Sequence, residues 1–509
     1  MKYIIGIDIG TSSTKAVLYG LDGQVYTHAN RAYTLFRDAS GLAEEDPAEI
    51  LAAVLAVLTE VNQSIDFTQD QLEGVSFSSA NQSLLALDQH HRPLTRLLTW
   101  ADTRAAAVAE QLKASERGQA IYEKTGTPLH PMSLLCKLRW LHNSQPELCA
   151  YAAYYCGIKE YVIHQLCGVW QMDISNASCT GLFNIFDQQW DQEALALAGI
   201  TKEQLPPVVD AYVTFQGLKD QYVRQTGCPA QTTFVQGAFD GALSNLGVGA
   251  LDPKRIAVTI GTSGAVRVTL NHPVTDPQGR LFCYALDRQH YVVGGPVNNG
   301  GAVLGWAKDK LFAPAETTTH QLSYERLNEI AAQVPAGANG LLFHPFLGGE
   351  RAPLWDANAR GSFFGLTYLH TKADMLRAVL EGITFNLNTV LQEVIELTGQ
   401  PTEILATGGF ARSKTWCQIL ADIFASPITI PKDFESSCLG AAVVGLKALG
   451  LVSDLSVVQQ WLGTTTTYKP LAANSAVYHE LWPIYTRLTA HLGAEYASLA
   501  DFQARHPRP

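Results

Sequence analysis

The chain has 509 residues, 47% of them hydrophobic and 16% charged. That length predicts roughly two to four domains, most simply two large ones, and the composition excludes a disordered or fibrous protein. With 36 Lys and Arg against 47 Asp and Glu the net charge is −11, which argues against a nucleic-acid or anionic-membrane binder.

Other global features agree. No Lys/Arg cluster with interleaved aromatics occurs. The nine Cys are odd in number and dispersed, without zinc-site spacing, and read as reduced, mostly buried thiols of a cytoplasmic protein. The opening MKYIIGIDIG is interrupted by Asp8 and Gly10, so no signal peptide is expected. No apolar run reaches the ~18 residues of a membrane span.

In chain order, Tyr3 to Asp8 and Thr14 to Tyr19 read as two strands joined by a Gly-bearing turn. Pro47 to Asn62 reads as a helix, because Ile50, Leu51, Val54, Leu55 and Leu58 recur at helical spacing. Extended runs follow at Gly74 to Ser79 and Ser83 to Asp88. Further helical patterns cover Met132 to His142, Lys159 to Leu166, Lys372 to Leu397, Ser413 to Phe424 and Cys438 to Leu449. Strands and helices mix throughout, which predicts α/β layering.

One internal repeat stands out. Ile9-Gly10-Thr11-Ser12 recurs as Ile260-Gly261-Thr262-Ser263, about half the chain away. Each copy follows an apolar strand and precedes another. A duplicated domain is the better reading of that shared context. The boundary falls near Gly247 to Pro253, dividing the chain into 1–247 and 248–509.

DIGTSSTK (Asp8 to Lys15) gathers a carboxylate, a Gly, four hydroxyls and a cation in one turn. A Gly-bearing turn presents backbone N–H groups to phosphate oxygens, and Ser and Thr hydroxyls add donors. Asp8 at the end of an apolar strand suits a hydrated Mg²⁺. A polar hairpin turn is the plainer reading of one such segment; the second copy at Gly261, Thr262, Ser263 and Gly264 favours a polyphosphate clamp. In QGAFDGALSNLG, Asp240 follows an apolar strand. It reads as a base that takes a proton from a substrate hydroxyl, as a cap of the helix starting at Gly241, or as both. ATGGFARS joins strand to helix through Gly408 and Gly409; it admits a flat ring or a phosphate, or is a plain turn with Ser413 as N-cap. VNNGGAVLGW reads as structural first, and Glu350-Arg351 in HPFLGGERAP reads as a buried ion pair that shapes its loop. No GxxxxGK[ST] loop, no GxGxxG turn opening a helix, and no protein-kinase HRD or DFG motif is present.

Together DIGTSSTK, SFSSANQSLLALD, TWADTR, TGTPLHPMS, DISNASCTGLF, GAFDG, TIGTSG, LGGERAPLWD, ATGGFARS and ESSCLGAA resemble the FGGY carbohydrate kinases over nearly the whole chain. Gly361 to Glu381 resembles that family's C-terminal signature. The earlier signature near Met132 to Asn143 keeps Lys137 and Trp140 but has Leu134 where Pro, Ser or Thr is usual. The resemblance implies two actin/Hsp70-like (RNase H-like) α/β ATPase domains, internally duplicated, with a catalytic cleft between them. It implies sugar binding and the catalytic base in the first domain and nucleotide in the second.

Residue by residue, Asp8 resembles the Mg²⁺-site carboxylate. Gly10, Thr11, Ser12, Ser13 and Lys15 resemble the first phosphate loop, and Gly261 to Gly264 the second. Gly408, Gly409 and Ser413 resemble the adenosine turn, and Asp240 the general base. Asn81, Gln82, Trp100, Asp102, Arg104, His130, Met132 and Asp240 are implied as the sugar site. Within the family, SSxxxSLxALD, TWADTRA, TGTPLHPMS, IKEY, SxAxxTGLFN and AVTIGTSGAVR are most similar to gluconokinases, although Asn81-Gln82 replaces the usual Met-His. The implied reaction is ATP- and Mg²⁺-dependent phosphorylation of a small sugar acid, D-gluconate to 6-phospho-D-gluconate. Xylulose or another polyol is the alternative substrate, and a non-catalytic actin-fold sugar sensor the alternative class. Arg104, Lys137 and protonated His130 are the cations available for a substrate carboxylate. The reading allows a homodimer.

Overall fold

The computed structural model describes residues 1–38, 40–312, 322–431 and 436–506. The chain folds as two compact units. The first comprises Met1–Asp252, Thr269–Val293 and Glu435–Leu462; the second comprises Pro253–Val268, Gly294–Phe434 and Gly463–Pro509.

The first unit is built on a six-stranded sheet in the order Thr214–Phe215, Phe234–Phe239, Gln71–Ser79, Lys2–Ile9, Ser13–Gly20, Val25–Ala32. Its two central pairings are parallel, and the hairpin Lys2–Ile9 with Ser13–Gly20 is antiparallel. The central strands are apolar on both faces, as expected when helices cover both sides. The helix Pro47–Asn62 begins where expected. Asp46 caps it by accepting from the Ala48 N–H at 2.8 Å, and Pro47 enters its first turn. Ile50, Val54, Val57, Leu58 and Val61 are buried in one core with Ile5, Ile7, Phe77 and Phe234.

The second unit repeats part of this pattern. Gly264–Leu270 pairs antiparallel with Arg255–Ile260, which pairs parallel with Glu403–Thr407, and that strand pairs parallel with Ile428–Pro431. In both units a hairpin is therefore followed by a parallel neighbour, with the IGTS turn at the hairpin tip. The helices Lys372–Thr398, Lys414–Phe424 and Ser436–Ala448 match the periodic segments closely.

Among the described residues no helix is long and apolar enough to cross a membrane. None of the nine cysteines is in a disulfide, and all but Cys167 are buried.

Candidate active site

The first turn is closed by its own backbone. Gly10 N–H donates to Ser13 O at 3.1 Å, Tyr33 N–H to Ser12 O at 3.2 Å, and the Tyr33 hydroxyl to Gly10 O. Trp100 Nε1 donates to the Thr11 hydroxyl at 2.7 Å. Ser12 is exposed, and Thr11, Ser13 and Lys15 are half-buried. Lys15 sits opposite Asp8 in the antiparallel register. Asp8 Oδ1 accepts from the Ser78 hydroxyl at 2.7 Å and Oδ2 from the Ser437 hydroxyl at 2.9 Å. Both serines lie in segments named above, SFSSAN and ESSCLGAA, but nothing local in them points to Asp8.

This oxygen set suits Mg²⁺, a hard cation that keeps several waters and takes one or two carboxylates. No group of three or more His, Cys, Asp or Glu that could hold a metal occurs among the described residues.

The second turn closes one residue tighter, Gly261 N–H to Ser263 O at 2.9 Å. Gly301 and Ala302 N–H donate to Gly261 O and Thr262 O at 2.7 and 3.1 Å, so VNNGG braces the turn, in keeping with a structural role. Gly261 and Thr262 are exposed, while Gly264 is buried. Beside it, buried Glu350 accepts from Asn298 and Arg351 N–H and from the Asn299 and Asn386 amides, at 2.5 to 2.9 Å. Burial raises this carboxyl above its usual range. Glu350 thus shapes the loop through backbone and amide donors, the Arg351 N–H among them, and the Arg351 charge beside it works against the rise that burial causes.

Gly408 has φ +114°, and a Cβ there would lie 2.3 Å from Ile260 O, so only Gly fits. Gly409 opens onto free space. Ser413 is the N-cap of Lys414–Phe424, its hydroxyl accepting from Trp416 N–H at 3.1 Å.

Asp240 projects from the end of the buried strand Phe234–Phe239. Gly237, at φ +68°, bulges this strand; a Cβ there would lie 1.7 Å from Phe77 O. The helix begins at Asp240 with Phe239 as its cap residue. Asp240 Oδ1 accepts from the adjacent Gly241 N–H at 2.7 Å. The capping reading, which started the helix at Gly241, is corrected: Asp240 is the first helical residue, and it remains half-buried.

The remaining residues implied for sugar all belong to the first unit. Asn81 Nδ2 donates to Cys179 Sγ at 3.3 Å. Gln82, at φ +61°, donates through Nε2 to the Tyr284 hydroxyl at 2.9 Å and accepts at its carbonyl from Lys137 Nζ at 2.5 Å. His130 Nδ1 accepts from Met132 N–H at 3.2 Å, and both residues are buried.

The three candidate cations differ. Arg104 pairs with Asp102 at 2.7 Å and Glu44 at 2.6 Å and lies over the Trp140 ring. Burial works against its charge, but these partners hold it above its ordinary value. Lys137 is fully buried, and burial pulls its ammonium down to about 7. Both cations are therefore committed within the protein. Asp102, 1% exposed, also accepts from Ala43 N–H, so it orders Arg104 and the backbone together.

Two family models match the chain. The N-terminal domain of the FGGY family of carbohydrate kinases matches residues 3–247, and its C-terminal domain matches residues 256–449. The chain is 44% identical over 506 residues to the gluconokinase of Bacillus subtilis (strain 168), covering 99% of this chain and 98% of that protein. The crystal structure of gluconate kinase from Lactobacillus acidophilus superposes with TM-score 0.91 at 41% identity, covering 98% of this chain and 99% of that one. Ligand-bound xylulose kinase from the same species superposes with TM-score 0.92 at 41% identity, covering 98% and 100%. With both domain models matched in order and mixed α/β units throughout, the chain has the two-domain sugar-kinase fold and belongs to the FGGY family of carbohydrate kinases.

Proposed function

We propose that the protein transfers the γ-phosphoryl group of ATP to D-gluconate, giving 6-phospho-D-gluconate and ADP. The observation that carries this reading is the 44% identity to a gluconokinase across 99% of the chain. Asp240 is the base: its carboxylate takes the proton of the attacking hydroxyl, the hydroxyl oxygen bonds to the γ-phosphorus, and the bond to the β-phosphate oxygen breaks. Asn81, Gln82, Trp100, Asp102, Arg104, His130 and Met132 form the sugar side. Gly10, Thr11, Ser12, Ser13 and Lys15 serve as one phosphate-binding turn, Gly261 to Gly264 as another, and Gly408, Gly409 and Ser413 as the adenosine turn. Mg²⁺ held at Asp8 neutralises phosphate charge when bound. The enzyme works in the cytoplasm on small molecules.

D-xylulose is the second reading. The 41% identity to a xylulose kinase favours it, and the Asn81-Gln82 pair, standing where both kinds of kinase commonly have Met-His, leaves the choice of sugar to be tested. A panel of gluconate, D-xylulose, glycerol and L-ribulose at fixed ATP separates the two. Gluconate is expected to give the highest kcat/KM; a higher value on xylulose overturns the substrate and leaves the family intact.

A further inference from the structure

The five-residue helix Ile174–Ser178 and the residue after it, Cys179, are buried within the first unit. Its start is anchored by Asp173, fully buried, which caps the helix by accepting from Asn176 N–H at 2.9 Å and pairs with buried Lys159 at 2.6 Å. From this anchor the next side chains reach different walls of the site. The Ser175 hydroxyl accepts from the N–H of Phe239, the residue before Asp240, at 3.2 Å. The Ser178 hydroxyl accepts from Ala285 N–H at 2.9 Å, next to the Tyr284 that holds Gln82. The Cys179 thiol donates to Ser175 O at 3.2 Å and its sulfur accepts from the Asn81 amide at 3.3 Å.

Two hydrogen-bonded links therefore meet at Ser175: one runs from the Asn81 amide through the Cys179 thiol to the Ser175 main-chain carbonyl, and the other joins the Ser175 hydroxyl to the backbone that carries Asp240. We propose that Ser175 and Cys179 are positioning residues: Ser175 sets the aim of the Asp240 carboxylate, and Cys179 sets the Asn81 amide at the sugar. This inference rests on the roles given above to Asp240 and Asn81. The bulge at Gly237 makes the strand ladder irregular just before Phe239, so the Ser175 hydroxyl takes up an N–H in a buried place where an unmet donor is costly. Burial raises the Cys179 thiol well above its ordinary value, so it stays protonated and keeps the hydrogen it donates to Ser175 O.

The two residues act on different kinetic parameters. A carboxylate displaced by a fraction of an ångström still lets both substrates bind but takes the proton poorly. A freed Asn81 amide weakens sugar binding and leaves the base in place.

The test is steady-state kinetics on the full-length enzyme, with thermal melts as a folding control. Ser175→Ala is expected to lower kcat on the order of tenfold with the KM for gluconate and for ATP each within about twofold. Cys179→Ala is expected to raise the gluconate KM about threefold or more with kcat and the ATP KM within about twofold. A folded Ser175→Ala with kcat within about twofold of the parent overturns the proposal, as does one in which all three parameters shift together. Should Ser175→Ala not fold, Cys179→Ala decides, and an unchanged gluconate KM overturns it. Asp240→Asn run in parallel separates the layers: if it retains full turnover the base assignment fails, whereas an inactive Asp240→Asn beside an unaffected Ser175→Ala sinks only the positioning role.

Discussion

Trp100 donates its indole N–H to the Thr11 hydroxyl at 2.7 Å, joining residues 89 positions apart. One is proposed to face sugar and the other phosphate, so the bond ties the two sides within one unit. Trp100→Phe keeps the ring and removes the donor. A neutral hydrogen bond is worth about 1 kcal/mol, so the ATP KM is expected to rise about fivefold, alongside any change in sugar KM. An ATP KM equal to that of the parent shows that Thr11 needs no such orientation.

Asp240→Asn should fold and bind both substrates while losing turnover. The amide keeps the size and the contact with Gly241 N–H but cannot take the proton. Loss of a general base lowers rate by ~10²–10⁴. Retention of more than about a third of kcat would assign Asp240 a structural role at the head of its helix.

Lys15→Met should raise the ATP KM, lower kcat, or do both, and leave the gluconate KM unchanged. The ammonium is proposed to meet phosphate oxygens, and that negative charge is present only with nucleotide. Its β-strand position, opposite Asp8, tolerates Met without loss of pairing. Titrations of ATP at saturating gluconate give the answer; an unaltered ATP profile returns the segment to an ordinary hairpin turn.

Glu45 makes stability depend on pH. It is 2% exposed, its Oε1 accepts no hydrogen bond among the described residues, and burial pushes its carboxyl up to about 8. The folded state therefore favours the neutral acid. Its contribution to stability is complete below about 4.5 and is lost as pH rises through about 8. Glu45→Gln cannot ionise. Relative to the parent, its melting temperature should improve steadily from pH 5 to 8.5; a difference that is flat with pH would show that Glu45 is solvated.

Much of the architecture was legible from residue order. Apolar periodicity located the helices Pro47–Asn62 and Lys372–Thr398 to within a residue, the first through a buried apolar face and the second through a middle that is buried all round from Leu376 to Asn388. The repeated IGTS turns were legible for a similar reason: Gly and hydroxyl residues between two strands favour a local turn, and each turn closes on its own Gly N–H, Gly10 to Ser13 O and Gly261 to Ser263 O. The resemblance at TWADTR implied Arg104 near the sugar site, but not that Asp102 and Glu44 already engage it.

What the sequence by itself determined is the set of strands, turns and helices, the chemistry available at each, and the family they resemble. Those depend on interactions within a few residues and on patterns of burial. The tertiary structure decided which groups meet. Ser437 reaches Asp8 across 429 positions, Ser175 reaches Phe239 across 64, and Asn81 reaches Cys179 across 98. No local preference encodes such pairings. They arise because the sheet and its helices bring distant turns together in the buried interior, where each polar group must find a partner or pay the full cost of losing water.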